Sequence, residues 1–335
     1  MQTDKISFNE YRDLGQIFNA TFAFIRQNFA ILFKAISIIS MPFNICGIGM
    51  MAFSLYNIVQ NIDNLGVGIL VSWLIILFGL LCFFIGSVLL ISTVFEYINL
   101  YRDAEDFRSI QVSEIWTKVR KNFWNWAAKV ILWGVLSGTL TSGAYIIMML
   151  IMLPGIGLSA ALNSEIIMIL TMILAYLVFY IVVAYIQSIG IPIFFISSYE
   201  KKDVFPAIGK AFQLVHSKGN FWKSIVVTFT GNLVQYILSY SITIPITIIG
   251  AIIGFNFIEQ YDGSSFSENN MVLITAAILG PLYYIVLIYS GIIYLISQAF
   301  KTGDLNERTF GTNILARIQQ MGKKASSIQN SSNTH

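Results

Sequence analysis

Six long apolar runs, at 35–57, 66–95, 130–153, 166–196, 224–255 and 271–297, set the pattern of this chain. Each meets the roughly 20 residues that a helix needs to cross the hydrocarbon core of a bilayer, so the pattern predicts six transmembrane helices. The runs come in pairs. Within a pair the link carries only acids: Asp63 in the first, Glu165 in the second, and Glu259, Asp262 and Glu268 in the third. All 20 Lys and Arg fall instead at the termini and between the pairs. Cytoplasmic loops keep positive charge and translocated loops lose it, which predicts that both termini and both inter-pair segments are cytoplasmic.

Before each pair the periodicity changes from continuous to amphipathic. Leu14, Phe18, Phe22, Ile25 and Phe29 recur at helical spacing within 8–29, followed in the next two segments by Val112, Ile115, Val119 and Phe123, and by Phe205, Ile208, Phe212 and Val215. Such helices are too short and charged to span, and their stripes predict that they lie in the cytoplasmic interface. Trp116, Trp124, Trp126 and Trp222 would form an aromatic belt there. A fourth, degenerate copy in the tail carries Phe310, Ile314, Ile318 and Met321.

These segments also repeat at about one hundred residues. A basic-x-Asn-Phe signature occurs as Arg26–Phe29, Arg120–Phe123 and Lys218–Phe221, and Asp103, Asp203 and Asp304 close the three units. The expected architecture is an all-α integral membrane protein whose six transmembrane helices form three parallel repeats, each an amphipathic helix plus two spans. The repeats cover 1–100, 101–200 and 201–300, with a cytoplasmic tail over 301–335. The repeat landmarks are Asn28, Asn122 and Asn220, with aspartates expected to cap the helices that follow them. Even-numbered units share one orientation, as parallel repeats do. Pro42, Pro192, Pro245 and Pro281 are candidate kinks, and Gly134, Gly138 and Ser142 predict close helix packing.

Composition agrees with this picture: 56% of residues are hydrophobic, 11% are charged, and mean hydropathy is +0.72, too few charges to coat a soluble protein of this length. Both cysteines, Cys46 and Cys82, fall in apolar runs and act as small hydrophobes. The polar first 27 residues lack the short apolar core of a cleavable signal peptide.

The stretch Ala207-Ile208-Gly209-Lys210-Ala211-Phe212-Gln213-Leu214-Val215, leading to Lys218-Gly219-Asn220-Phe221-Trp222-Lys223, resembles the entry segment of a group of bacterial multi-pass families. The best known is the glycerophosphoryl diester phosphodiesterase membrane domain. The resemblance extends to the other two repeats. It implies a membrane module only, because the catalytic chemistry of that family resides in a separate soluble barrel with no counterpart here.

Candidate chemistry is sparse. Glu96, Lys34 and Lys129 fall near cytoplasmic helix ends, where snorkelling to water is expected. Asn44, Gln187, Asn232 and Gln235 lie deeper and suit bonds between helices. Two histidines, His216 and His335, do not make a zinc site, and no phosphate-binding loop or nucleophile elbow occurs. No enzymatic activity and no cofactor are expected. The expected role is a non-catalytic scaffold or accessory subunit of a bacterial cytoplasmic (inner) membrane, with a transporter or lipid-handling protein as the alternative. Its contacts would be with membrane lipids, anionic ones among them, or with a membrane or cytosolic protein, and not with nucleic acid. The candidate contact residues are Arg26, Lys118, Arg120, Lys121, Lys210 and Lys218, which set positive charge beside apolar stripes.

The topology has a direct test. With Cys46 and Cys82 removed, Asn61→Cys, Ser159→Cys and Ser264→Cys should each react with an impermeant thiol reagent outside intact spheroplasts, while Ser109→Cys stays protected. Labelling at 109 with protection at the other three would reverse the orientation.

Overall fold

The computed structural model describes residues 5–60, 67–162, 164–217, 219–260 and 270–311. Asp63, Asp262, Glu268, Lys218 and the tail residues Ile314, Ile318 and Met321 lie outside them, as do Asn61 and Ser264. Apart from the segment before Leu14 and short connections, the described residues are helical: α1 (Leu14–Ile39), α2 (Met41–Gln60), α3 (Val67–Asp103), a 3-10 turn (Phe107–Ser109), α4 (Val112–Leu162), α5 (Glu165–Tyr199), α6 (Val204–His216), α7 (Asn220–Gln260) and α8 (Asn270–Phe310).

Six helical stretches are long and apolar enough to cross a membrane: Leu14–Ile39, Val67–Asp103, Val112–Leu162, Glu165–Tyr199, Asn220–Pro245 and Leu282–Phe310. The first differs from expectation. The run at 35–57 is broken at Ser40, between α1 and α2, and the stretch that qualifies begins at Leu14. Pro42, in the first turn of α2, accounts for the break, because it lacks the N–H that would continue the helical ladder to the carbonyl four residues earlier.

Nothing interrupts the helix between the amphipathic segment and the apolar run in α1 or α4, so the expected interfacial helices are here the leading ends of longer ones. At 51 residues α4 is about 77 Å long at 1.5 Å per residue, far beyond the ~30 Å hydrocarbon core. Asn28 and Asn122 consequently lie inside α1 and α4. Only the third segment is separate. Gly219, at φ +79°, takes the left-handed conformation that ends the turn after α6, and Asn220 opens α7. The Asn220 amide ties the two together by donating to the Leu214 carbonyl at 3.0 Å and to Ser217 Oγ at 2.8 Å.

The chain divides into two compact units. One contains Gln27–Ile131 and Asn232–Tyr294. Within it α2 and α3 pack where glycines let backbones approach: a Cβ on Gly47 would lie 2.7 Å from the Gly79 carbonyl oxygen. Ser40 Oγ donates to the Gly86 carbonyl at 2.9 Å, and Asn44 bonds back to Ser40 one turn earlier. Ser37 and Tyr289 share a 2.6 Å bond, as do Ser239 and Ser290 at 2.7 Å. These hydroxyl pairs link otherwise apolar helices.

The other unit contains Met1–Arg26, Leu132–Gly231 and Leu295–His335. Its core joins Ile193 and Ile196 of α5, Ala207, Ala211 and Leu214 of α6, and Leu305 of α8. Trp133 covers Gly190, where a Cβ would sit 1.7 Å from the indole. Phe8 plugs into this unit, stacked on Phe300 at 4.4 Å and edge-on to Phe24 at 5.3 Å. The glycines at 134 and 138 do not serve as expected. A Cβ at either position would meet nothing within 4 Å, and Ser142 is exposed.

Candidate functional site

The helical stripes read from the sequence resolve differently in each segment. In α1 the buried face is Ile17, Thr21, Phe24 and Asn28, while Leu14, Phe22 and Phe29 of the expected stripe are exposed. In α6 the buried face is Ala207, Ala211, Leu214 and Val215, leaving Phe205 and Phe212 outside. In α4 Ile115 and Val119 of the expected stripe are buried, and the opposite face exposes Trp116, Arg120, Lys121 and Trp124.

That α4 face is an exposed aromatic, two bases one turn on, and a second aromatic one turn further, with Trp124 82% exposed. Arg120 and Lys121 form no ion pair among the described residues. Lys118 is half-buried on the same helix. On α1, exposed Arg26 follows exposed Phe22 by one turn. Lys210 is committed elsewhere: its Nζ donates to Glu200 Oε1 at 2.5 Å, joining α6 to the end of α5, and lies 5.0 Å above the Phe310 ring. Lys218 is outside the described residues.

Glu96 and Lys129 do not snorkel. Both are buried, and Glu96 Oε1 accepts from Asn122 Nδ2 at 2.9 Å and from Trp126 Nε1 at 3.0 Å. Lys129 Nζ sits 4.6 Å above the Trp126 ring. Trp126 therefore belongs to a buried polar cluster, not to an aromatic belt. Lys34 is exposed as expected. The landmark Asn28 likewise faces inward and accepts from the Tyr97 hydroxyl at 2.6 Å.

The landmark aspartates serve three different ends. Asp103 is the last residue of α3 and pairs with adjacent Arg102 at 2.6 Å. Asp203 occupies the N-cap of α6 without a side-chain cap bond. Asp304 caps nothing: it lies within α8, wholly buried, because donors surround it. Its carboxylate accepts from Lys223 Nζ at 2.5 Å, from Arg308 Nε at 2.9 Å and from the Arg12 backbone N–H at 2.8 Å. Lys223 and Arg308 also donate to the Arg12 carbonyl, at 2.5 and 3.0 Å, and the Arg308 guanidinium lies 3.7 Å above the Tyr11 ring.

This cluster clamps the N-terminal segment to α7 and α8. Gly303 permits it, since a Cβ there would stand 2.1 Å from the Phe8 carbonyl oxygen. The Arg12 side chain is itself buried and donates to the Ser7 and Phe8 carbonyls and to Glu10. Burial draws its guanidinium below the usual arginine value, against the opposing pull of Glu10 and Asp304. The sequence held one trace of the clamp, the i,i+4 pairing of Asp304 with Arg308, but not the distant partners Arg12 and Lys223.

Among the described residues, no group of three or more His, Cys, Asp or Glu could hold a metal ion. His216 is exposed, stacked on Phe212 at 3.9 Å and within 3.2 Å of the Tyr185 hydroxyl. The site residues thus divide into charges engaged within the fold and exposed bases set beside aromatic rings. No family model matches this chain, and no curated protein or solved structure matches it either.

The clamp predicts a protease phenotype. Asp304→Asn leaves Lys223 and Arg308 without their carboxylate, and losing a buried partner costs about 3 kcal/mol even allowing for the partial exposure of both bases. Tryptic cleavage after Arg12 should then accelerate by on the order of a hundredfold where opening precedes cutting. Asp103→Asn, at an exposed pair, should leave that rate unchanged.

Proposed function

We propose that this protein is a non-catalytic scaffold or accessory subunit of a bacterial cytoplasmic membrane, with both termini cytoplasmic and its six spans arranged as three parallel repeats. It works by holding anionic lipid headgroups at the cytoplasmic interface. The observation that carries this reading is the α4 face of Trp116, Arg120, Lys121 and Trp124, where exposed bases with no ion pair among the described residues stand between exposed indoles. Indole rings favour the headgroup depth, and each base near an anionic leaflet adds about 1 kcal/mol of attraction. Arg26 beside Phe22 adds to this surface, and Lys118 supports it. The resemblance to the membrane part of the glycerophosphoryl diester phosphodiesterase family fits the same role, since that part carries no catalytic residue.

A transporter or lipid-handling protein is the second reading. It draws on one observation, a fully buried lysine, Lys301, between α5, α7 and α8.

Replacing Arg120 and Lys121 together with Gln removes about 2 kcal/mol of attraction, tens of fold in affinity. Anionic lipid co-purifying with the folded variant should fall accordingly, and wild-type retention should weaken in high salt. Undiminished anionic lipid in a well-folded double variant rules out the lipid role, and loss of a co-purifying acidic protein instead would reassign the face to partner recruitment.

A further inference from the structure

Lys301 lies towards the C-terminal end of α8 and has no exposed surface. Its Nζ donates to the Ser188 carbonyl of α5 at 3.1 Å and to Thr228 Oγ1 of α7 at 2.9 Å. Both acceptors are neutral. In its protonated form, the one an anion would stabilise, Nζ carries three protons, so one donor remains after these two bonds. Asp304, three residues further along α8, is engaged by Lys223, Arg308 and the Arg12 N–H.

The surrounding side chains add donors that are not matched among the described residues. Thr228 has one proton and two acceptors in reach, the Ser224 carbonyl at 2.8 Å and Gln298 Oε1 at 3.1 Å. Gln298 is fully buried, and its Nε2 has no acceptor. Ser224 Oγ, one turn before Thr228 on α7, is fully buried and also lacks a partner. Turning the Gln298 amide over would let Nε2 donate to Thr228, but its second N–H would stay unmatched. Buried donors of this kind are costly unless something accepts from them.

We propose that Lys301, Gln298, Thr228 and Ser224 form a binding site for a small monovalent anion of chloride size. The charge fits, because Lys301 has no carboxylate partner among the described residues. The hydrogen-bonding fits, because the cluster has spare donors from three side chains. A metal cation would face an ammonium and several N–H and O–H groups, and an apolar ligand would leave those donors unmet. A lipid phosphate would have to bring its glycerol and acyl chains among residues with no exposed surface, which a monoatomic anion does not. The bound anion would tie α7 to α8 beside the α5 backbone, a role independent of lipid contact by α4.

The test uses the full chain in detergent, with the thermal midpoint followed as chloride replaces gluconate at constant ionic strength. Wild type should show a saturable rise of several degrees, reproduced by bromide. Lys301→Gln should abolish the dependence, and Lys121→Gln, on the exposed α4 face, should keep it. Gln298→Leu removes a spare donor at similar size and should raise the half-saturating chloride concentration about tenfold. Absence of saturable chloride dependence in wild type overturns the proposal, as does equal dependence in Lys301→Gln. Should Lys301→Gln fail to fold, an unchanged half-saturation in Gln298→Leu overturns it alone. Loss of lipid retention in the α4 variant bears on the scaffold role and leaves this site untouched.

Discussion

Burying a carboxylate is costly unless its neighbours replace both the counter-charge and the hydrogen bonds of water. Asp304 meets that condition through two cations and a backbone N–H. Its donors come from three distant parts of the chain: the segment before α1, the start of α7, and α8 itself. The condition therefore fixes the register of all three. It also explains why Gly303 is a glycine, since the chain carrying Phe8 passes too close for a side chain. Phe8, once held there, completes the aromatic contact with Phe24 and Phe300.

The same condition sorts the remaining charges. Glu96 has its donors from Asn122 and Trp126, and Lys210 has Glu200. Each is spent within the protein, holding one helix against another. Arg120 and Lys121 have no such partner among the described residues and stand between indoles on an open face. Bases used internally and bases left at the surface cannot carry the same function. Only the second kind offers charge to a headgroup, which is why the proposed lipid contact rests on α4 and not on Lys210.

Helical class and the apolar stretches from residue 66 onwards were legible from hydropathy alone, because a bilayer demands long uninterrupted helices. The break at Ser40 was less so, although Pro42 marks it. Faces were harder to read. In water an apolar stripe means burial, but beside lipid both faces of a helix can be apolar, and periodicity does not say which one packs. Leu14, Phe22 and Phe29 are exposed while Ile17, Thr21 and Phe24 are buried. Buried charges were harder still. Lys129 and Lys301 are buried and Lys223 is partly so, yet all three sit near the ends of apolar runs, where snorkelling is the ordinary expectation. Whether such a lysine reaches water or a partner depends on residues distant in sequence. Arg12 lies 292 positions from Asp304.

The central claim is that Asp304 and Lys223 stabilise the protein through each other and not merely by each occupying space. A double-mutant cycle on unfolding stability, using Lys223→Met, Asp304→Leu and the pair, measures this most directly. The account predicts that each single variant is destabilised and that the pair loses less than the two losses combined, with a coupling of about 2 kcal/mol. Losses that add to within about 0.5 kcal/mol would contradict it.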